Sequence, residues 1–120
     1  MHQRIRIMPY GGKQIVVVEL RGCSSAEVAE TIRALPEYVT GCPPRSVLIM
    51  ADFSGASFDA EAVRAMQESA VFEKPYVKKS AWVGVENLAE SHRRDISDFS
   101  GRQFPVFKTR EEALEWLAND

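Results

Sequence analysis

The stretch that decides the fold is Val47-Leu-Ile-Met-Ala-Asp52-Phe-Ser-Gly-Ala-Ser-Phe-Asp59, followed by Ala60-Glu-Ala-Val-Arg-Ala-Met66. A short apolar run ends in an acid, crosses a turn rich in Ser and Gly, and enters a helix that starts beside a second acid. An apolar run without polar alternation predicts a strand covered on both faces, as in parallel sheets flanked by helices. Its polar groups then gather at the carboxyl end of the strand, where open α/β sheets collect ligand and partner sites. The candidate partner- or ligand-binding residues are therefore Asp52, Ser54, Ser57, Asp59 and Glu61.

Upstream, residues 4–8 alternate charge and hydrophobe and predict a strand. Residues 9–13, Pro-Tyr-Gly-Gly-Lys, predict a turn, and residues 14–20 predict a second strand around Ile15-Val-Val-Val18. The two strands are expected to pair as an antiparallel hairpin. Ser24-Ser-Ala-Glu27 has the spacing of a capping box, in which hydroxyl and carboxylate satisfy orphan amides. Val28, Ile32 and Leu35 follow at helical spacing until Pro36, which ends or kinks the helix.

Downstream, Ser57 or Asp59 caps a helix whose inner face carries Val63, Met66 and Ala70 and which Lys74-Pro75 closes. Residues 80–85 predict a strand. Leu88, His92, Ile96 and Phe99 recur at helical spacing before Gly101, a C′ glycine. Residues 104–107 predict a short strand, and Pro105 places it at a sheet edge. Thr109-Arg-Glu-Glu112 is a second capping box, opening a helix with Ala113, Leu114 and Leu117 inward. The order β-β-α-β-α-β-α-β-α predicts an α/β fold: a mostly parallel five-stranded sheet with an N-terminal hairpin and right-handed crossovers. At 120 residues the chain is expected to form a single domain, 1–120.

Three passages resemble the SpoIIAA-like (STAS/SEC14) domain family. They are Leu48-Ile-Met-Ala-Asp-Phe-Ser-Gly55, then Lys78-Lys-Ser-Ala-Trp-Val-Gly84, then Phe99-Ser-Gly-Arg102 leading into Phe107-Lys-Thr-Arg-Glu-Glu-Ala-Leu-Glu-Trp-Leu117. The last is the most specific, because it resembles the family's closing helix. The resemblance implies the β-α architecture read above and a regulatory interaction module. In regulatory STAS domains a serine follows an Asp at the start of the helix after the central strand, and a cognate kinase phosphorylates it. Asp59 matches that Asp, but Ala60 and Glu61 follow it and carry no hydroxyl. The chain is therefore expected to lack the usual phosphorylatable serine, and Glu61 supplies a fixed charge where the helix dipole favours one. Ser54 and Ser57 remain as sites for a relocated switch, against their plainer roles in turn and cap. The SEC14 half of the family implies the alternative: a small-molecule or lipid-binding domain, with an apolar groove near Met66, Phe72 and Trp82.

Other function classes fail at named residues. A haloacid-dehalogenase-type phosphotransferase needs Asp-x-Asp, but Ser54 stands at the second place. A receiver domain needs an acid pair after the first parallel strand, where this chain has Arg21-Gly22. The glycines form no phosphate-binding pattern. Asp52 is expected to accept the backbone amides of the Phe53-Ser-Gly turn, and His92 to be a packed side chain rather than a ligand. No catalytic set, metal site or cofactor is expected.

Hydrophobic content of 45% and charged content of 27% suit a globular chain, and a net charge of -2 gives no global field for nucleic acid. Lys74, Lys78, Lys79 and Arg102, near the amino ends of strands, and Arg93 and Arg94 on the third helix offer a modest anion-attracting face, but are read first as a solvated face balanced by Glu86, Glu90 and Asp95. No apolar run approaches the ~20 residues of a membrane span. The amino terminus has a strand pattern rather than that of a signal peptide, so a cytoplasmic protein is expected. Cys23 and Cys42 fall at opposite ends of the sheet and are expected to be free thiols. The expected partner is a protein or a second copy of the chain, as a homodimer, with a small apolar ligand as the alternative.

Overall fold

A computed structural model describes residues 2–119. Strand β1 (Ile5–Tyr10) pairs antiparallel with β2 (Lys13–Glu19). Pro9 and Tyr10, expected in the turn, instead extend β1 opposite Gln14 and Lys13. The loop shrinks to Gly11 and Gly12, with φ of 56° and 79°. Two consecutive positive φ values make the turn whose twist matches the strands, which is why glycines stand there. Pro9 is tolerated because β1 is an edge strand.

Helix α1 (Ser25–Ala34) begins with the predicted capping box. The Ser24 hydroxyl accepts from the Glu27 amide at 3.2 Å, and the Ser24 amide donates to Glu27 Oε1 at 2.9 Å. A 3-10 turn, Leu35–Tyr38, takes over at Pro36. Strand β3 (Val47–Asp52) is buried throughout. Asp59, not Ser57, caps α2 (Ala60–Glu73), its carboxylate accepting from the Ala62 amide at 2.8 Å.

Strand β4 runs Val77–Val83, starting and ending earlier than expected. Lys78 and Lys79, outside the expected strand, belong to it: Val77 pairs with Val47 and Lys79 with Leu48. Lys78 is the extra residue of a bulge between those pairs, which reconciles the charges with a strand.

Helix α3 is Glu90–Ser100, and Gly101 ends it in the left-handed conformation. The expected apolar stripe is only partly realised. Leu88 is buried in the preceding turn, Ile96 faces the core, and Phe99 is 63% exposed. Because the helix starts at Glu90, its buried positions are Ile96 and Ser100, one turn apart, and Phe99 points away. Strand β5 is only Val106–Phe107, and α4 is Arg110–Ala118 behind its own capping box at Thr109 and Glu112.

The strand order is β1-β2-β3-β4-β5, with β2 to β5 parallel. When consecutive parallel strands are neighbours, right-handed crossovers put their helices on one face. Accordingly α1, α2 and α3 pack side by side over Val16, Val18, Ile49, Ala51 and Trp82. Helix α4 has no following strand and folds onto the other face, over Ile15, Val17, Leu48, Met50, Ala81 and Val83. Both faces are covered, so the central strands carry almost no polar alternation.

Candidate functional site at the strand ends

Asp52 closes β3 and is only 2% exposed. Its Oδ1 accepts from the Ser54 amide at 3.0 Å and the Ser54 hydroxyl at 2.7 Å. Its Oδ2 accepts from Arg110 Nη1 at 3.0 Å. The same nitrogen donates to Glu19 Oε1 at 2.7 Å, from the end of β2. Glu19 and Asp52 lie opposite one another in the parallel register, so a single guanidinium from the start of α4 serves both acids. The hydrogen bond from Arg110 holds the Glu19 carboxyl below the usual carboxylate range and holds the Arg110 guanidinium above its own. Asp52 does accept a turn amide, as its position predicts. A carboxylate this buried needs a cation, and Arg110 provides it.

The rest of the turn is pinned in place. The Gly22 amide donates to the Ser54 carbonyl at 2.8 Å, and the Ser57 amide to the Cys23 carbonyl at 3.0 Å. Gly84 crosses closely: a Cβ there would lie 2.6 Å from Ser54 Cα. Phe58 packs on Phe53, ring centres 5.5 Å apart. Ser54 is half-buried, whereas Ser57, Asp59 and Glu61 are exposed. Glu61 lies 4.0 Å from Arg33 of α1. Ser54 also borders an open hollow of about 520 Å³ with Gly84, Glu86, Arg93 and Lys108.

The expected apolar groove is not assembled. Met66 and Trp82 line a cavity of about 40 Å³ between α2 and the sheet, with Ser69, Glu73, Ser80 and Arg102. Phe72 is 54% exposed and borders a separate hollow with Arg33, Pro36 and Glu68. With about 3.6 residues per turn, Met66, Ala70 and Glu73 take the inner face of α2 and Phe72 falls outside it.

Glu73 is 3% exposed, hydrogen-bonded by the Ser69 hydroxyl, with Arg102 Nη1 at 3.9 Å. Burial pushes its carboxyl up to about 7, against the opposing pull of Ser69 and Arg102. The Arg102 guanidinium donates to the Ala70 carbonyl at 3.0 Å and to the Ser80 hydroxyl at 2.7 Å, and lies over the Phe104 ring.

The basic residues do not form one face. Lys74, Lys78, Lys79 and Arg102 gather at the amino ends of the strands with Arg45, while Arg93 is at the carboxyl end. Cys23 and Cys42 are free, the first buried and the second half-buried. Among the described residues, no three of His, Cys, Asp and Glu are placed to hold a metal ion. Among them, too, no helix is long and apolar enough to cross a membrane.

No family model matches the chain, and no curated protein matches its sequence. A solved structure does. It is a crystal structure of an uncharacterised protein of the DUF3478 family with a SpoIIAA-like fold, from Shewanella loihica PV-4. The two chains are 17% identical, with a TM-score of 0.71 over 94% of this chain and 91% of that one. With its hairpin-led, mostly parallel sheet and four helices aligned over nearly its whole length, the chain has a SpoIIAA-like fold.

Proposed function

We propose that the protein is a non-catalytic, STAS-like interaction module that docks a protein partner, or a second copy of itself, on the turn between β3 and α2. The observation that carries this reading is the division of roles within the turn. Buried Asp52 and half-buried Glu19 and Arg110 satisfy one another, and backbone hydrogen bonds fix the loop above them. Ser57, Asp59 and Glu61 are exposed on that fixed support. A rigid, acid-rimmed surface loses little entropy on docking and selects for a partner of complementary charge.

The reading includes the lost switch. Ala60 and Glu61 open α2 where a regulatory STAS domain is phosphorylated, and Glu61 holds a constant negative charge there. Phosphate mapped to Ser54 or Ser57 in cells would replace this with a relocated switch.

The carrier alternative is supported only by the cavity beside Met66 and Trp82. At about 40 Å³ it takes a water-sized guest, against roughly 300 Å³ or more for a ligand pocket. Native mass spectrometry of freshly purified protein reads subunit count and retained mass together. An assembly without added small-molecule mass supports docking, and a retained lipid-sized mass supports the carrier. The double variant Asp59→Asn, Glu61→Gln should then weaken self-association or partner capture with its melting curve unchanged. Wild-type binding by that variant would refute the assignment of this surface.

A further inference from the structure

At the opposite end of the sheet lies a feature that the docking surface does not use. A hollow of about 320 Å³ opens where β3 and β4 begin, bordered by Arg45, Lys74, Lys78, Lys79 and Arg102. Among the described residues, no Asp or Glu lines it. That is five of the chain's 15 Lys and Arg side chains around one hollow, in a protein of net charge -2.

The cations are not equivalent. Arg102 forms a fixed floor: its side chain is 9% exposed and is held by the Ser80 hydroxyl and the Ala70 carbonyl. Lys79 is anchored to the end of α4 through the carbonyls of Trp116 and Asn119, and lies over the Trp116 ring. Arg45, Lys74 and Lys78 form no ion pair or side-chain hydrogen bond among the described residues. Glu73 lies behind Arg102, on the cavity side, and does not border the hollow.

The backbone is also irregular here. Among the described residues Arg45 alone, apart from glycines, has a positive φ, 52°. The bulge in the β3–β4 ladder falls at Lys78, and Gly101 is in the left-handed conformation with Lys74 Nζ 2.8 Å from where a Cβ would be. Left-handed non-glycine residues and bulges are costly devices that re-aim side chains, and they gather at functional sites. Arg45, Lys74 and Lys78, crowded with no acid beside them among the described residues, repel one another, and a bound anion relieves that repulsion.

We propose that this hollow is a binding site for a small, free polyanion of the phosphate class, such as a pyrophosphate or a compact phosphorylated metabolite. Arg102 presents donors from the floor, and Arg45, Lys74 and Lys78 close over the charge as mobile point cations. The exposed large apolar side chains, Ile7, Val71, Phe72, Phe99 and Val106, do not border it. A headgroup held in a membrane would need such neighbours, so the ligand is a soluble one.

Pyrophosphate is the probe, titrated calorimetrically at constant ionic strength with sodium chloride as the balancing salt. The wild type should bind one equivalent saturably. The double variant Lys74→Gln, Lys78→Gln should bind it about tenfold more weakly or worse, while melting no lower than the wild type in the absence of ligand, since two mutually repelling charges are gone. Asp59→Asn, at the other end of the sheet, should bind as wild type does. Absence of saturable heat in the wild type would overturn the proposal, as would equal affinity in the double variant. Binding only to phosphatidylcholine vesicles doped with phosphatidic acid, and not to free pyrophosphate, would overturn it too. None of these results depends on the docking surface, so this site and that one fail separately.

Discussion

Replacing Glu73 with Gln should remove a pH dependence from the stability of the fold. The carboxyl ionises at its ordinary 4.5 in the unfolded chain and at about 7 inside, where burial opposes its charge. The sign follows from which state binds the proton. Between those values the unfolded chain has released it and the folded protein retains it, so unfolding becomes easier as pH rises. The stabilising effect of the neutral carboxyl is complete below pH 4.5, is lost as pH climbs to about 7, and changes no further above that. The gap between 4.5 and about 7, at ~1.4 kcal/mol per pH unit, amounts to about 3 kcal/mol. Gln has nearly the same shape, accepts from Ser69 as well, and does not titrate. Below about pH 7 Arg102 faces a neutral group in both proteins, so a difference in packing between Gln and the protonated acid shifts the variant by a constant amount. The measured quantity is therefore a difference: urea melts of both proteins at about pH 5, 6, 7 and 8, subtracted at each pH so that all other groups cancel. The variant should gain on the wild type by roughly 2–3 kcal/mol across that range, mostly below about pH 7. Parallel curves would show that Glu73 ionises as easily inside as outside, and the account of the cavity would fail.

Asp52→Asn should destabilise the fold by about 2–3 kcal/mol in urea melts, because an Asn that keeps both Ser54 bonds on Oδ1 turns its NH2 group on Arg110, donor against donor, beside a buried site. Asp59→Asn should cost only a few tenths, since Asn caps a helix as well as Asp; the reverse order would refute the roles assigned to the two acids. Thr109→Ala should cost about 1 kcal/mol as the loss of an N-cap, and Leu114→Ala about 2–5 kcal/mol as a cavity under α4. Equal and negligible losses in the same melts would mean that α4 does not rest on the sheet.

The fold was largely legible because each of its local signals has a local cause. Both capping boxes form as spaced, Pro36 converts a helix to a 3-10 turn, and Gly101 ends α3. The misreadings have local causes as well. Lys78 and Lys79 hid the first half of β4, because a bulge lets a strand present charges that a regular ladder would bury. The stripe from Leu88 to Phe99 spans a turn and a helix, so its spacing mixes two conformations. The helical period puts Met66 on the inner face of α2 and Phe72 on the opposite side of the same helix, so one groove does not hold both.

The candidate site was legible on one side only. Asp52, Ser54, Ser57, Asp59 and Glu61 are close in sequence, and they share one turn in space. Their partners Glu19 and Arg110 are distant in sequence, and the link from Arg110 to Asp52 spans 58 residues. Yet the chain did hold a clue to both buried networks. Helix dipoles favour acids in the first turn and bases in the last. Arg110 is a cation in the first turn of α4, and Glu73 is an anion in the last turn of α2. Each sits against its dipole, so something else must stabilise its charge or remove it. For Arg110 that something is the pair of acids at the ends of β2 and β3. For Glu73 it is retention of the proton where the carboxyl is buried beside a small cavity, next to an arginine whose other side faces the cationic hollow. Asp98 in α3 and Glu115 in α4 also oppose their dipoles, but water solvates them. It is the opposing charge taken out of water, as at Glu73 and in part at Arg110, that marks where the interior is polar.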